Sequence, residues 1–150
     1  MAKTGWIARV AWLPAAALIA ATLGCGAGPE MAPVEGTVTL DGKPLEFGLV
    51  MLHPLKGQVA QGLIGAGGAF SLSTFEPGDG VPFGAYRVSV LCYEGHDPSK
   101  ASAAKGPEEG FLLGRSLIPL RYSRATSSGL TVDVGPDGVR DLTLALSSRK

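Results

Sequence analysis

Hydrophobic and polar residues alternate along several short stretches between residue 34 and the C-terminus. In residues 34–40, Val34 and Val38 fall on one face, while Glu35 and Thr37 fall on the other. Alternation with a period of two is typical of a strand that buries one face. The pattern predicts seven strands, at residues 34–40, 47–53, 59–64, 69–73, 85–93, 129–134 and 139–146.

Turn-forming residues separate these stretches. The chain has 22 Gly and 11 Pro among 150 residues, and the pair Asp41-Gly42 follows the first strand directly. No helical periodicity follows residue 24. Short strands joined by such turns are typical of a β-sandwich. The sequence therefore predicts a single all-β domain over residues 34–150, with strand 85–93 in the interior of a sheet.

Two longer connections flank strand 85–93 and are therefore expected at its opposite ends. Residues 94–110 are small and charged without an apolar period, which predicts a flexible excursion. Residues 74–84 contain two prolines, so we expect an irregular but stiff loop. Its aromatic residues Phe75 and Phe83 are expected to anchor the loop by closing one end of the core.

The first part of the chain has the order of an export signal. Lys3 and Arg9 precede an apolar run at residues 10–23, which Pro14 interrupts. Such a run rises about 21 Å as a helix, which is shorter than the roughly 30 Å hydrocarbon core of a bilayer. We therefore expect residues 1–24 to be a cleaved signal peptide rather than a membrane-spanning helix.

A cysteine ends this leader, in the sequence TLGC at residues 22–25. The segment resembles a lipobox, the site at which a bacterial signal is removed before a cysteine that receives a diacylglycerol. The resemblance implies that Cys25 carries the lipid and attaches the protein to a bacterial membrane on its exported side. Residues 25–33 are then a pliable tether. The alternative is an ordinary signal that is cut near Ala27, which leaves a soluble secreted protein.

Four segments of the domain, taken in order, resemble the sequence pattern of a known protein family. They read VEGTVTLDGKPL at residues 34–45, HP at 53–54, GAFSLSTFEPGDGVPFGAY at 68–86 and IPLRYSRATSSGLTVDV at 118–134. In this order they resemble the small exported lipoproteins of planctomycete-type bacteria that carry a carboxypeptidase-regulatory-like, transthyretin-like domain. The resemblance implies a prealbumin-like β-sandwich on a lipid anchor, and it supplies no catalytic residues.

Charge and cysteine content narrow the possible functions. The 13 basic and 13 acidic side chains give zero formal net charge, so the chain lacks the basic character of a nucleic-acid-binding protein. Only Cys25 and Cys92 are present, and no disulfide between them is expected. Because Cys92 lies in an alternating strand, we expect a buried and inert thiol there.

The sequence contains no combination of residues that predicts catalysis. His53 ends a predicted strand and His96 lies in the excursion, and neither has predicted partners for a metal or hydrolytic site. The serines lack the Gly-x-Ser-x-Gly elbow of a hydrolase. We therefore expect a non-enzymatic protein without a cofactor.

The stiff loop is the candidate site for an unknown protein or glycan partner. The side chains of the loop that we expect to contact the partner are Phe75, Glu76, Asp79 and Phe83. Glu76 and Asp79 also offer carboxylate oxygens for Ca²⁺, but their spacing is not that of the twelve-residue calcium loop. A structural turn without a metal is therefore the favoured interpretation.

Two functional hypotheses follow from the sequence. The first is a cell-envelope lipoprotein that displays its sandwich as a structural or binding module. The second is a carbohydrate-binding module of the envelope, for which the candidate sugar-stacking side chains are Tyr93, Phe111 and Tyr122.

Overall fold

The computed structural model describes residues 28–97 and 114–149. Their ten β-strands are β1 (Met31–Ala32), β2 (Val34–Leu40), β3 (Lys43–Pro44), β4 (Gly48–Pro54), β5 (Ala60–Ile64), β6 (Ala69–Ser71), β7 (Val81–Pro82), β8 (Gly84–Leu91), β9 (Leu130–Val134) and β10 (Val139–Leu146). Short 3₁₀ turns occupy Ala66–Gly68, Glu94–His96 and Leu120–Ser123. In the described ranges, no helix is long and apolar enough to cross a membrane.

The seven strands of three or more residues correspond to the seven predicted stretches, with bounds that differ by two residues at most. Predictions for the leader, for Cys25 and for most of the excursion at 94–110 lie outside the described residues. Agreement is best for β2 and β10, whose bounds are those predicted.

The strands form two four-stranded sheets and one short ribbon. In the first sheet, β10 pairs with β2 in parallel, while β3 and β6 pair with β2 in antiparallel fashion. The second sheet has the order β5-β4-β8-β9, and every pair is antiparallel. The interior position predicted for β8 is therefore confirmed. The predicted all-β sandwich is confirmed as well.

Side chains from both sheets fill the space between them. Val38 and Leu144 of the first sheet are buried, as are Val50, Leu52 and Val88 of the second. Removing this apolar surface from water stabilises the fold by about 25 cal/mol per Å². The buried positions recur at every second residue along the strands, which is the period from which the strands were predicted.

One side of the sandwich is closed because the chain passes from the first sheet to the second after β6. Ser71 pairs with Glu35 of β2, and Ser73 then exchanges two backbone hydrogen bonds with Gln61 of β5, at 2.9 and 3.0 Å. Gly62 permits this approach, since a Cβ atom there would lie 2.1 Å from the carbonyl oxygen of Ser71. We call this junction of β5 and β6 the closed side.

The N-terminal residues join the sandwich at one end, which we call the proximal end. There Met31 pairs with Pro82 and Ala32 with Val81, so that β1 and β7 form the ribbon. The strand registers bring three connections to the same end, at residues 55–59, 72–80 and 135–138. The opposite, distal end carries the connections at residues 41–42, 65–68 and 92–97. The two connections that flank β8 thus lie at opposite ends, as predicted.

The folded body begins earlier than residue 34. Ala32 is buried, and the carbonyl of Pro33 accepts a hydrogen bond from the N–H of Val139 at 2.9 Å. The prediction of a tether through residue 33 is therefore wrong for its last three residues, which belong to the sandwich. The 74–84 loop is not wholly irregular either, because it contains β7.

Candidate functional site

The candidate loop is held by the carboxylate of Asp79. Its Oδ1 accepts the N–H of Thr74 at 2.8 Å, and its Oδ2 accepts the N–H groups of Phe75 and Glu76 at 2.8 and 3.0 Å. Such bonds are charge-assisted and fix a tight turn. The hydroxyl of Thr74 closes the turn further by donating to the carbonyl of Gly80 at 2.9 Å.

These bonds change the acidity of Asp79. Desolvation raises the pKa of its carboxyl, but the N–H groups of Thr74, Glu76 and Phe75 favour the charged form and hold the pKa below its ordinary value. Asp79 is therefore part of a structural turn, which is the interpretation that the sequence favours. Among the described residues, no three His, Cys, Asp or Glu side chains form a group that could hold a metal ion.

The two aromatic side chains of the loop are exposed rather than buried in the core. Phe75 is 57 % exposed and Phe83 is 37 % exposed. The prediction that they anchor the loop is therefore wrong. Val81 is fully buried and fills the core at this end, while the hydrogen bonds to Asp79 fix the turn without an apolar anchor.

A groove of about 720 Å³ lies beside this loop on the closed side. Leu63 is 77 % exposed, and with Phe75 it gives the groove two large apolar side chains in contact with water. Exposed apolar patches of this kind mark interaction surfaces, whereas scattered single residues do not. The residues that line the groove include Leu49, Gln61, Leu63, Phe75, Glu76 and Pro77.

The structure separates the four predicted binding residues. Phe75 and Glu76 line the groove, Asp79 holds their turn, and Phe83 is not among the lining residues. The other wall belongs to β5, whose Leu63 was not a predicted site residue. Alternation along β5 indicates an exposed face, but only the tertiary pairing across the closed side determines which loop lies next to it.

A second, more polar cleft of about 600 Å³ adjoins the groove and shares Leu63 and Ser71 with it. It crosses the outer face of the first sheet, where its charged side chains are Glu35, Arg140 and Asp141. The two clefts form one surface across the closed side, which is apolar beside the loop and charged toward β10.

His53 has a hydrogen-bond partner that the sequence does not indicate. Its Nε2 lies 2.8 Å from the Oγ of Ser89, and these are the two atom types of a hydrolase nucleophile and its base. Ser89 is only 1 % exposed, however, so its hydroxyl is closed to a substrate. The two residues are 36 positions apart and meet only because β4 pairs with β8.

Two of the three candidate sugar-stacking residues, Tyr93 and Tyr122, lie in the part of the chain that the structure describes. Tyr122 is buried; its hydroxyl accepts the N–H of Ser147 at 3.0 Å, and Arg121 lies 4.6 Å from the centre of its ring. Tyr122 is therefore not an exposed candidate for sugar stacking, because these contacts use the residue to hold the C-terminal segment. Tyr93 is half-buried, and Phe111 lies outside the described residues.

The thiol of Cys92 is buried, as predicted. It donates to the carbonyl of Phe47 at 3.3 Å, and burial raises its pKa. The nucleophilic form of cysteine is the thiolate, so this environment keeps Cys92 unreactive.

Compared with known proteins, the chain matches no family model, no curated protein and no solved structure. The resemblance to exported lipoproteins therefore stays a prediction from the segments that carry it. The function is argued below from the geometry of the groove and from the sequence of the leader.

Proposed function

We propose that this protein is a non-enzymatic lipoprotein of a bacterial cell envelope, which displays one β-sandwich as a binding module. A lipid on Cys25 holds it to the exported side of a membrane, and a protein or a glycan is its partner. A transthyretin-like domain of the planctomycete type is the family that we propose for it. The observation that carries the binding role is the groove beside Phe75.

The groove suits binding because its walls are fixed before a partner arrives. Phe75 lies on the turn that Asp79 holds, and Leu63 lies on β5, whose backbone pairs with β4 on one side and with Ser73 on the other. A preformed site loses little conformational entropy when it binds. Burial of the exposed Phe75 and Leu63 side chains then favours association.

The groups closest to a catalytic arrangement support binding rather than catalysis. Ser89 is closed to solvent, and the carboxylate of Asp79 is engaged by the turn. Glu76 is the one carboxylate among the residues that line the groove. Glycoside hydrolysis generally uses a pair of carboxyl groups across the scissile bond, whereas Glu35 and Asp141, the carboxylates of the adjoining cleft, are not among the residues that line the groove.

The lipid anchor is tested by membrane fractionation of a Cys25→Ser variant in an exporting bacterium. The parent chain is expected in the membrane fraction and the variant in the soluble fraction, because serine lacks the thiol that receives the lipid. Cys92→Ser is the matched control, since it removes the other cysteine and should leave the protein on the membrane. A soluble parent chain, or a membrane-bound Cys25→Ser variant, contradicts the anchor.

A second candidate function, carbohydrate binding, is favoured by the chemistry of the groove. Phe75 offers an exposed aromatic ring, while Gln61 and Glu76, which line the same groove, offer an amide and a carboxylate. An aromatic ring with a few convergent polar groups suits the apolar faces and the hydroxyls of a sugar. Phe75 is thus more exposed than Tyr93 and Tyr122, the two candidate stacking residues that the structure describes.

A glycan array tests this second function. The parent protein is expected to bind at least one glycan, and Phe75→Ala should weaken that binding by about tenfold or more, as expected for a central aromatic contact. Phe83→Ala is the matched control, because it removes an exposed aromatic residue outside the groove. If no glycan binds, or if both variants bind like the parent, carbohydrate binding through the groove is wrong.

A further inference from the structure

The proximal end of the sandwich carries large apolar side chains that the groove does not use. Leu55, in the connection between β4 and β5, is 89 % exposed, and Phe83, immediately before β8, is 37 % exposed. Because Pro54 of β4 lies opposite Tyr86 of β8, both side chains are at the same end of the second sheet. A single exposed leucine is ordinary on a protein surface, but two large apolar residues beside the ends of the neighbouring strands β4 and β8 form a contact site.

The N-terminal chain reaches the domain at this same place. The N–H of Phe83 donates to the carbonyl of Glu30 at 3.3 Å, so the incoming backbone lies directly against Phe83. Glu30 is five residues beyond Cys25, and a fully extended chain of that length spans at most about 18 Å. A lipid on Cys25 therefore keeps the proximal end within this distance of the bilayer surface.

We infer that the anchored sandwich docks end-on against the bilayer, with Leu55 and Phe83 in the interface between headgroups and acyl chains. The inference rests on the proposed lipid at Cys25. A tether of this length gives the proximal end an effective concentration at the bilayer in the millimolar range, so that even weak insertion is populated. Apolar side chains at the boundary of headgroups and acyl chains bind in proportion to the area that they bury.

The charges at this end indicate an apolar contact rather than an electrostatic one. The basic residues at or near this end are Lys56, Arg87 near the start of β8 and Arg140 near the start of β10. They lie on separate segments, and the acidic residues Glu30, Glu76 and Asp137 are at the same end and exposed. Attraction to anionic lipids requires a cluster of basic residues. The described part of the proximal end has no such cluster. We therefore expect docking on zwitterionic phosphatidylcholine, with little dependence on salt.

Tryptophan fluorescence tests the inference. Both natural tryptophans, Trp6 and Trp12, belong to the leader, so Leu55→Trp or Lys43→Trp gives the mature lipoprotein one reporter at the proximal or the distal end. Each variant is purified from membranes and reconstituted in phosphatidylcholine vesicles with and without brominated lipid. Leu55→Trp is expected to be quenched at least about twofold more strongly than Lys43→Trp, because only the proximal end reaches the acyl boundary.

Two glutamate substitutions make a matched pair. With Phe83→Trp as the reporter, Leu55→Glu should remove most of the quenching, because a carboxylate opposes insertion. Leu120→Glu makes the same change at another leucine, 64 % exposed and away from the proximal end, and should leave the quenching intact. Thermal melts show whether both variants are folded, which we expect because neither leucine is in the core.

The outcomes separate the anchor from the docking. If the parent chain does not float with vesicles, the lipid anchor is wrong, and end-on docking is overturned with it. If the chain floats but Leu55→Trp and Lys43→Trp are quenched alike, the anchor stands and end-on docking is overturned. If the fluorescence of Leu55→Trp changes with the number of protein molecules per vesicle but not with the fraction of brominated lipid, the patch contacts a second copy of the protein. That result would also overturn the inference.

Discussion

Gly36→Ala is expected to destabilise the sandwich by about 3 kcal/mol or more, or to prevent its folding. A Cβ atom at position 36 would lie 2.0 Å from the carbonyl oxygen of Leu142 and 2.8 Å from its carbonyl carbon. Both atoms belong to the backbone of β10, so no side-chain rotation relieves the clash. The register of β10 against β2 shifts between Val139 and Leu142, at the point where the two backbones approach.

Gly65→Ala is the control for this prediction. The added Cβ would meet only the carbonyl oxygen of Ala69, at 3.7 Å, and the φ of Gly65 is −105°, which alanine adopts readily. We therefore expect a change within about 1 kcal/mol. Denaturant unfolding followed by circular dichroism measures the free energy of unfolding of each variant. A Gly36→Ala protein as stable as the parent would show that β10 does not approach β2 in this way.

The longer strands could be predicted because each buries one face against the opposite sheet. Successive side chains of a strand point to opposite faces, so a strand with one buried face has a hydrophobic residue at every second position. The bounds of β2 and β10 are those predicted from this pattern. The turns between them follow from residues that tolerate special backbone angles, such as Asp41, whose φ is 50°. Local chemistry therefore predicts most of the sandwich.

Pairing between distant segments could not be predicted from local chemistry. The parallel pairing of β10 with β2, and the passage of the chain from β6 to β5, depend on contacts between residues far apart in the sequence. β1 and β7 have two residues each, too few to show a period. The predicted start of the domain at residue 34 is therefore late, since β1 precedes it.

The candidate site could be predicted in part. Phe75 and Glu76, which the sequence names as candidate binding residues, line a groove that the sequence does not indicate. The assumption that Phe75 and Phe83 must close the core is wrong, because Asp79 stabilises the turn through hydrogen bonds and leaves both rings exposed. The contribution of Leu63 depends on tertiary pairing, so the sequence alone does not indicate it.

Asp79→Ala is expected to release the loop that presents Phe75. Alanine cannot accept the N–H bonds of Thr74, Phe75 and Glu76, so three backbone donors lose a charged acceptor. We expect chymotrypsin to cleave after Phe75 about tenfold faster in the variant, because cleavage requires the loop to open locally. Cleavage after Phe83 should change little, since β1 and β7 hold that position.

Two further variants show whether the carboxylate itself is responsible. Asp137→Ala removes one carboxylate from another turn at the proximal end, and its cleavage after Phe75 should match that of the parent. Asp79→Asn keeps one acceptor oxygen but replaces the other with an NH₂ group, so it should be cleaved nearly as fast as Asp79→Ala. Equal rates in the parent and in Asp79→Ala would contradict the role of the carboxylate.

Because the Asp79 carboxylate holds the turn in its ionised form, we expect the stability of the folded protein to depend on pH. Because the pKa of Asp79 is lower in the folded protein than in the unfolded chain, its ionised form stabilises the folded state above the ordinary carboxyl pKa of about 3.9. This stabilisation is lost as the pH falls through the folded pKa, when the carboxyl is protonated and its bonds to the N–H groups weaken. The difference in melting temperature between the parent and Asp79→Asn should therefore be present at pH 7 and shrink as the pH falls below the ordinary carboxyl pKa and through the lower folded pKa. If the difference is the same in acid, the ionised carboxylate is not what holds the turn.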